Sequence, residues 1–413
     1  MVENMSRFGK YDSINQKKQQ MINRALVIDL LRQEKLCSRA DLAKLSGLKR
    51  ATITYIVNEF MEYDLIVEDG FLNGKKGRRS IGIRINGEKY RTIGVMITRE
   101  HYSISMMGLS GEVFLIESYA VNKTMHAEKV IEEIKEKIRE MIDREKECQV
   151  LAVCVAVPGP YKKHGDRLAY VTNLFGWENI EINRCMQEGI GIPVFIENDA
   201  NAGVFAQQWF RKKKKEQQNI VYIVAGQGIG CGIISNGELQ RGSMGVAGEI
   251  GHTSINYKGL RCECGNYGCL ETYCSSIAVM KNVKKRLDQG ELSVLNINSN
   301  FSDFAKAVRA CDPLALEEYR KACEYLAIGI INLINQINPD DIIIGDILME
   351  INPEMMLEII QKKVSESIPF FVQEMLTIDC NQLEYNPILI GAGAIAAQNV
   401  LENPLKYLQK IER

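Results

Sequence analysis

Eighteen residues near the middle of the chain constrain its fold more than any other stretch. Between His252 and Cys269 stand one histidine and three cysteines, the cysteines in the run Cys262-Glu-Cys264-Gly-Asn-Tyr-Gly-Cys269. Gly265 and Gly268 permit backbone angles that other residues resist, so the run can close into a tight turn with its thiols together. Three thiolates and an imidazole make a tetrahedral Cys3His donor set. Soft sulfur plus nitrogen, with no vacant ligand position required, suits structural zinc rather than zinc that activates water. The fold must therefore bring His252, Cys262, Cys264 and Cys269 together. The alternative, a group of unligated core cysteines, does not ordinarily arrive with paired glycines.

The other cysteines among the 12 are scattered through a 413-residue chain. The N-terminus, MVENMSRFGKYDS, has no apolar segment behind its basic residues and no small-residue cleavage site, so a cytoplasmic protein with reduced thiols is expected. Hydrophobic residues make up 46% and charged residues 25%, with no apolar run long enough to span a bilayer, which excludes disordered and membrane-embedded classes. The net charge of -1 hides a split: residues 1–88 carry 16 Lys and Arg against 11 Asp and Glu, the remainder 35 against 41. A small basic module ahead of an acidic body is the balance of a nucleic-acid-binding head on another domain.

The head reads as three helices and a hairpin. Apolar Leu26, Val27, Leu30 and Leu31 share a face of a helix over about 16–33. Ser38 with Asp41 is a capping-box start, Leu42 and Leu45 supply a buried side, and Gly47 ends this short second helix. In the third, Ile53, Ile56, Val57, Phe60 and Met61 recur at helical spacing, leaving Lys49, Arg50, Thr52, Thr54, Tyr55 and Asn58 outside. Helix, glycine turn, helix is the arrangement that sets the start of the second helix of the pair against base edges in a major groove. Leu65–Glu68 and the alternating Ile81, Ile83 and Ile85 then form a hairpin whose tip, Asn73-Gly-Lys-Lys-Gly-Arg-Arg-Ser80, sets Arg78 and Arg79 near phosphates or a minor groove. A small helical domain with a solvated basic loop is the alternative reading of the same residues.

SRADLAKLSGLKRATITYIVNEF, GRRS and the Gly248-Glu-Ile-Gly-His252 to Glu271 signature together resemble the ROK family of repressors and sugar kinases, and the resemblance runs on from about Arg91 to Ala397. It implies an α/β chain with a winged helix-turn-helix over 1–88 and a sugar-kinase-type domain over 89–413. That domain would have two actin-like (ribonuclease H-like) lobes, about 89–200 and 201–413, with a sugar in the cleft. Carried over residue by residue, Glu249, His252 and Glu271 bind sugar hydroxyls, and His252 also ligates the zinc. Carboxylates suit this because they accept charge-assisted hydrogen bonds from neighbouring hydroxyls. Val194-Phe-Ile-Glu-Asn198-Asp199 is an apolar strand ending at a helix start, and Asp199 matches the general base of the family's kinases. On local pattern alone, a helix cap is the alternative reading. Gly159 in Val157-Pro-Gly-Pro160 and Thr172 in Thr172-Asn173-Leu-Phe-Gly-Trp177 match weaker sugar loops.

The family's kinases open this domain with Asp-x-Gly-Gly-Thr, a turn of bare backbone amides for phosphate. Here the strand reads Ile93-Gly-Val-Met96-Ile-Thr98-Arg99-Glu100, with the Asp, both glycines and the Thr replaced. Gly226-Gln227-Gly228-Ile-Gly230 keeps its glycines but has Gln227 for Thr, and Gly345-Asp346 has Asp for a second Gly, while Gly391-Ala-Gly393 survives. The expectation is therefore a repressor without catalytic residues, its partners double-stranded operator DNA and a sugar effector, and its state a homodimer or homotetramer away from membranes. The alternative is a sugar kinase with a DNA-binding appendage. Arg211-Lys-Lys-Lys-Lys215 reads as a solvated loop.

Overall fold

The computed structural model of the chain describes residues 16–73, 79–121, 126–162, 167–168, 176–177, 180–211 and 218–408. The first segment holds α1 (Gln16–Glu34), β1 (Cys37–Ser38), α2 (Arg39–Ser46), α3 (Arg50–Glu62), β2 (Ile66–Asn73) and β3 (Arg79–Ile85). The capping box forms as expected. The Asp41 N–H donates to Ser38 Oγ at 3.2 Å and the Ser38 N–H donates to the Asp41 carboxylate at 3.1 Å, a cap worth about 1 kcal/mol. Gly47 ends α2 in the left-handed region at φ 70. Ile53, Ile56, Val57 and Phe60 are the buried stripe of α3.

Two expected apolar positions turn outward: Leu45 is 50% exposed and Leu26 37%. On α1 the buried stripe is Val27, Ile28 and Leu31. At about 100° per residue, Leu26 falls on the far side of the helix from Leu31. The hairpin strands also run further than expected. Gly70, at φ 64, and a bulge between Glu68 and Phe71 carry β2 on to Asn73, which lies opposite Arg79. Arg79 and Ser80 therefore stand on β3 and not in a loop, and Arg78 lies outside the described residues. The two-residue β1 was not legible; it adds to β3 with Cys37 opposite Ile83.

Two five-stranded sheets follow, built to one plan. The first takes β4 (Tyr90–Ile97), β5 (His101–Gly108), β6 (Val113–Ala120), β7 (Gln149–Val157) and β10 (Val194–Asn198), in the order β6-β5-β4-β7-β10. Between these come α4 (Ala127–Arg144), a ribbon of β8 (Tyr161–Lys162) and β9 (Arg167–Leu168), and α5 (Ile182–Gln187). After α6 (Asp199–Phe210), the second sheet takes β11 (Ile220–Ala225), β12 (Ile229–Ser235), β13 (Glu238–Leu239), β14 (Asp341–Gly345) and β15 (Thr377–Cys380), in the order β13-β12-β11-β14-β15. In each sheet three strands form an antiparallel meander, and two later strands join in parallel on the other side of the first. Helices α7 (Glu271–Cys274), α8 (Ser276–Asp288), α9 (Phe301–Arg309), α10 (Pro313–Ile337), α11 (Pro353–Ser367), α12 (Phe370–Gln373) and α13 (Pro387–Glu402) complete the chain.

Both sheets are covered on both faces, which is why their central strands read as near-continuous apolar runs. On β7, Val153 and Val155 pack with Ile131, Ile134 and Ile138 of α4, whereas Ala152, Cys154 and Ala156 face the opposite way, toward α13. On β11, Val221 and Ile223 join the core under α10, while Tyr222 and Val224 face α6. The helix after each sheet's last strand packs on the other sheet: α6, following β10, covers β11 and β12, and α13, following β15, covers β4, β5 and β7. No helix among the described residues is long and apolar enough to cross a membrane.

Candidate functional site

The cleft is built where strands end and helices begin, the usual ligand position in such sheets. Asn198, last in β10, caps α6: its Oδ1 accepts from the Asn201 N–H at 3.1 Å, and its Nδ2 donates to the Gly159 carbonyl at 2.9 Å. Asp199 opens α6 and accepts the Ala200 N–H at 2.7 Å. From the other side comes Glu249, held beneath β12 by Gly248. That glycine has φ 91, and a Cβ on it would run into the Cys231 carbonyl oxygen. His252 ends a single 3-10 turn over Ile250–His252, and Glu271 opens α7. Gly159, Asn198, Asp199, Glu249, His252 and Glu271 all line one cavity of about 390 Å³, within the range of small-molecule sites. Thr172 lies outside the described residues.

Crowding by protein decides the electrostatics. Burial pushes the Asp199 carboxyl up to about 7, with Asp346 adding to the rise and the Ala200 N–H and Arg99 opposing it. Burial likewise pushes Glu249 up to about 7, helped by the charges of Asp199 and Glu271. Carboxyls so placed are poised to exchange protons or accept hydroxyl hydrogens near neutrality.

Behind this wall lies the metal-ligating cluster. Backbone bonds Leu270 N–H to Thr253 C=O (3.0 Å) and Ile255 N–H to Gly268 C=O (2.9 Å) fold the loop back on itself. One ligand atom from each of His252, Cys262, Cys264 and Cys269 lies within 4.8 Å of the others. Cys264 Sγ and Cys269 Sγ are 3.6 Å apart, as are Cys262 Sγ and His252 Nδ1. A tetrahedral ion with metal–sulfur bonds near 2.3 Å has edges of about 3.8 Å, so the donors stand at metal-binding separation. With Nδ1 toward the thiols, His252 Nε2 is 3.9 Å from Glu249, on the cleft side.

The facing wall differs. Arg99, in the β4–β5 turn, reaches into the cavity and its Nη1 donates to Gln227 Oε1 at 3.2 Å across the cleft. Thr98 Oγ1 in that turn accepts the N–H groups of Glu100 (3.3 Å) and His101 (3.0 Å). Asp346, in the left-handed region at φ 77, lies so close to Gly226 that a Cβ there would strike its carboxylate. Burial lifts the Asp346 carboxyl to about 6. Sequence reasoning treated Arg99 and Asp346 only as losses and missed them as cavity residues; only the fold brings them near Asp199. Asn386 and Glu350 also line the cavity unforeseen.

On the head, Lys49, Arg50, Thr54 and Tyr55 are exposed and Thr52 is half-buried, along one side of α3. Asn58, beside them, receives the Arg39 guanidinium at 3.5 Å, and Arg39 is a residue the sequence did not single out. Arg79 is exposed at the start of β3.

The chain belongs to the ROK family, whose model matches residues 92–399. It is 30% identical over 395 residues to the xylose repressor of Caldicellulosiruptor bescii, covering 93% of this chain and 97% of that one. It is 28% identical over 404 residues to the N-acetylglucosamine repressor of Escherichia coli O157:H7, covering 97% of each. A solved ROK family transcriptional regulator, homologous to the E. coli MLC protein, superposes with a TM-score of 0.79 at 27% identity over 94% of this chain and 98% of its own. A ROK glucokinase from Streptomyces griseus, solved with glucose and AMPPNP, superposes with a TM-score of 0.65 at 25% identity over 75% of this chain and 99% of its own. Within the family the chain stands with the regulators: it is a transcriptional repressor of sugar metabolism.

Proposed function

We propose that residues 1–88 act as a winged helix-turn-helix that binds an operator as part of a dimer or tetramer, while residues 89–413 bind a free sugar that alters operator binding. The first two turns of α3 offer Arg50, Thr54 and Tyr55 to base edges, with Lys49 and Arg79 near phosphates, the division of labour expected of such heads. In the cleft, Asp199, Glu249 and Glu271 accept sugar hydroxyls. His252, Cys262, Cys264 and Cys269 suit zinc, which when bound would fix the loop that carries Glu249 and Glu271 and hold the His252 ring in one orientation. The names of the relatives favour a pentose, glucose or an amino sugar as effector.

One observation carries the reading that this is a sensor and not a kinase. The carboxylates of the sugar wall converge intact, while the phosphate wall is filled by Arg99, bonded to Gln227, and by Asp346 against Gly226. A triphosphate needs bare backbone amides, and Thr98 already consumes two of them. The kinase reading is favoured by the intact loop of metal donors and by Asp199, whose carboxyl near 7 would serve a general base. Fluorescence anisotropy of labelled DNA from upstream of the chain's own gene, titrated with protein and then with D-xylose, D-glucose and N-acetylglucosamine, separates them. Selective binding released by one sugar supports the repressor; ATP-dependent phosphorylation of that sugar would replace it with the kinase.

A further inference from the structure

Two helices run from the cleft to the head. α6 begins at Asp199, which lines the cavity, and its 12 residues span about 18 Å. α13 begins beside Asn386 and Ile388, which also line the cavity, and its 16 residues span about 24 Å. The two pack directly on each other, and at their crossing a Cβ on Gly391 would run into the Ala202 carbonyl oxygen. Backbone therefore meets backbone, and one helix cannot roll over the other without displacing it.

Both far ends reach α1. α13 packs against it, and Val27, Ile28 and Leu31 share one continuous apolar core with Ile395, Val400 and Leu401. α6 reaches it through Trp209. The Arg32 guanidinium lies 3.8 Å above the centre of the indole, and Asp29 steadies it with bonds of 3.0 Å from Nε and 2.7 Å from Nη2. Phe205, one turn back, braces the ring at 5.5 Å. The Trp209 Nε1–H is buried and has no hydrogen-bond partner among the described residues. The indole is thus held on its face by a cation of the head and not by a bond of its own edge, an attraction that depends on how the guanidinium covers the ring.

We infer that the seat of Arg32 on Trp209 is the positioning contact through which α6 transmits occupancy of the sugar cleft to the DNA-binding head. This rests on the repressor reading above. A hydroxyl drawn onto Asp199 moves the start of α6, a rigid helix carries the displacement to its other end, and the Arg32 seat passes it to α1. A ligand shifts such an equilibrium only by its difference in affinity for the two arrangements, so the contact is visible as a coupling and not as an affinity.

The test uses the full chain, labelled DNA from upstream of its own gene, and whichever of D-xylose, D-glucose or N-acetylglucosamine changes DNA binding by the unmodified protein. The quantity read is the ratio of DNA Kd with and without saturating sugar. Arg32→Gln and Trp209→Leu should each shrink that ratio about fivefold or more, the lower end of ordinary coupling factors. The sugar Kd without DNA, measured by calorimetry, should stay within about twofold, since neither residue touches the cavity. Arg32→Lys and Trp209→Phe, which keep the cation and the aromatic face, should restore most of the ratio, an outcome that general loosening of the fold would not produce. Folded variants, checked by thermal unfolding, that keep the full wild-type ratio would overturn the inference. If Trp209→Leu does not fold, Arg32→Gln and the two conservative variants decide alone. Unmodified protein that answers to none of the three sugars removes the effector reading itself, and the inference falls with it.

Discussion

The turn between β4 and β5 and the turn between β11 and β12 hold equivalent places in the shared strand plan and face one cavity. Their chemistry is opposite. The second keeps Gly226 and Gly228. The first carries Thr98, Arg99 and Glu100, spends two of its amides on the Thr98 hydroxyl and sends Arg99 across the cleft. Meanwhile the sugar wall, anchored on a different part of the fold, keeps all its carboxylates. On the proposed reading, the contrast teaches that recognition and phosphoryl transfer rest on separate walls of one cleft, so one can vanish while the other stays.

The strongest way to break that contrast is through the zinc proposed for His252, Cys262, Cys264 and Cys269. Removing it by chelation, or replacing Cys264 with Ser, should free the loop carrying Glu249 and Glu271 and weaken sugar binding on the order of a hundredfold or more, because metal binding and loop folding are one event. DNA binding without sugar should be nearly unchanged. Protein shown by elemental analysis to be metal-free, yet binding sugar as before, would refute this. Next in size, Asp199→Asn or Glu249→Gln should each lower sugar affinity about 10- to 100-fold, the loss of a charge-assisted hydrogen bond of about 1.5–3 kcal/mol. Calorimetry of each variant reads it directly.

The pH dependence sharpens the same wall. The Asp199 carboxyl stands at about 7 against an ordinary value of 3.8. Its folded value is raised, so its contribution to stability is full below about 3.8 and lost as pH rises through about 7. Sugar affinity has the opposite sign. A hydroxyl donates best to the ionised carboxylate, so affinity should climb by up to about tenfold per unit between pH 6 and 7 and then level off. Asp346 and Glu249 face Asp199 and share the titration, while the Arg99 guanidinium stays charged and opposes the rise. Asp199→Asn should make both curves shallower, Glu249 still titrating; an unaltered pH profile in that variant would assign the titration elsewhere.

The smallest effects lie away from the sugar wall. Arg79→Ala should cost the head a few-fold in DNA affinity and lower the slope of log affinity against log salt by about 1, and an unchanged slope would take Arg79 off the DNA. Arg99→Gly should change sugar affinity by less than about threefold, since the carboxylates that hold hydroxyls remain. It should also leave ATP unbound in equilibrium dialysis, because the Thr98 hydroxyl and Asp346 still occupy the phosphate wall. Tight ATP binding by that single variant would show that the two turns differ by one side chain only.

What could be read in advance was local. The Ser38–Asp41 cap, the stop at Gly47, the buried stripe of α3 and the four clustered metal donors follow from short-range spacing, and all are present. Much of what escaped depends on distant parts of the chain. Leu26 and Leu45 are apolar residues left on outer faces by the orientation of their helices. β2 continues past Glu68 because Gly70 allows a bulge there. Arg99 and Asp346 are 247 positions apart and become neighbours of Asp199 only through the packing of two sheets. The return of α13 to the first sheet, and the meeting of Arg32 with Trp209, left no periodic trace in either segment.

The exchange of α6 and α13 between the sheets also governs how the protein can be cut. A break after α6, near residue 211, would part the two sheets, yet each piece would carry the helix that covers the other. The apolar inner faces, with Ala152, Cys154 and Ala156 on one sheet and Tyr222 and Val224 on the other, would stand bare in isolated halves. Such fragments should be insoluble alone and should reassemble when produced together, each completing its partner's core. The molecule is thus a clasp of two interlocked halves, and a sensor body grafted to another head must bring both crossing helices with it.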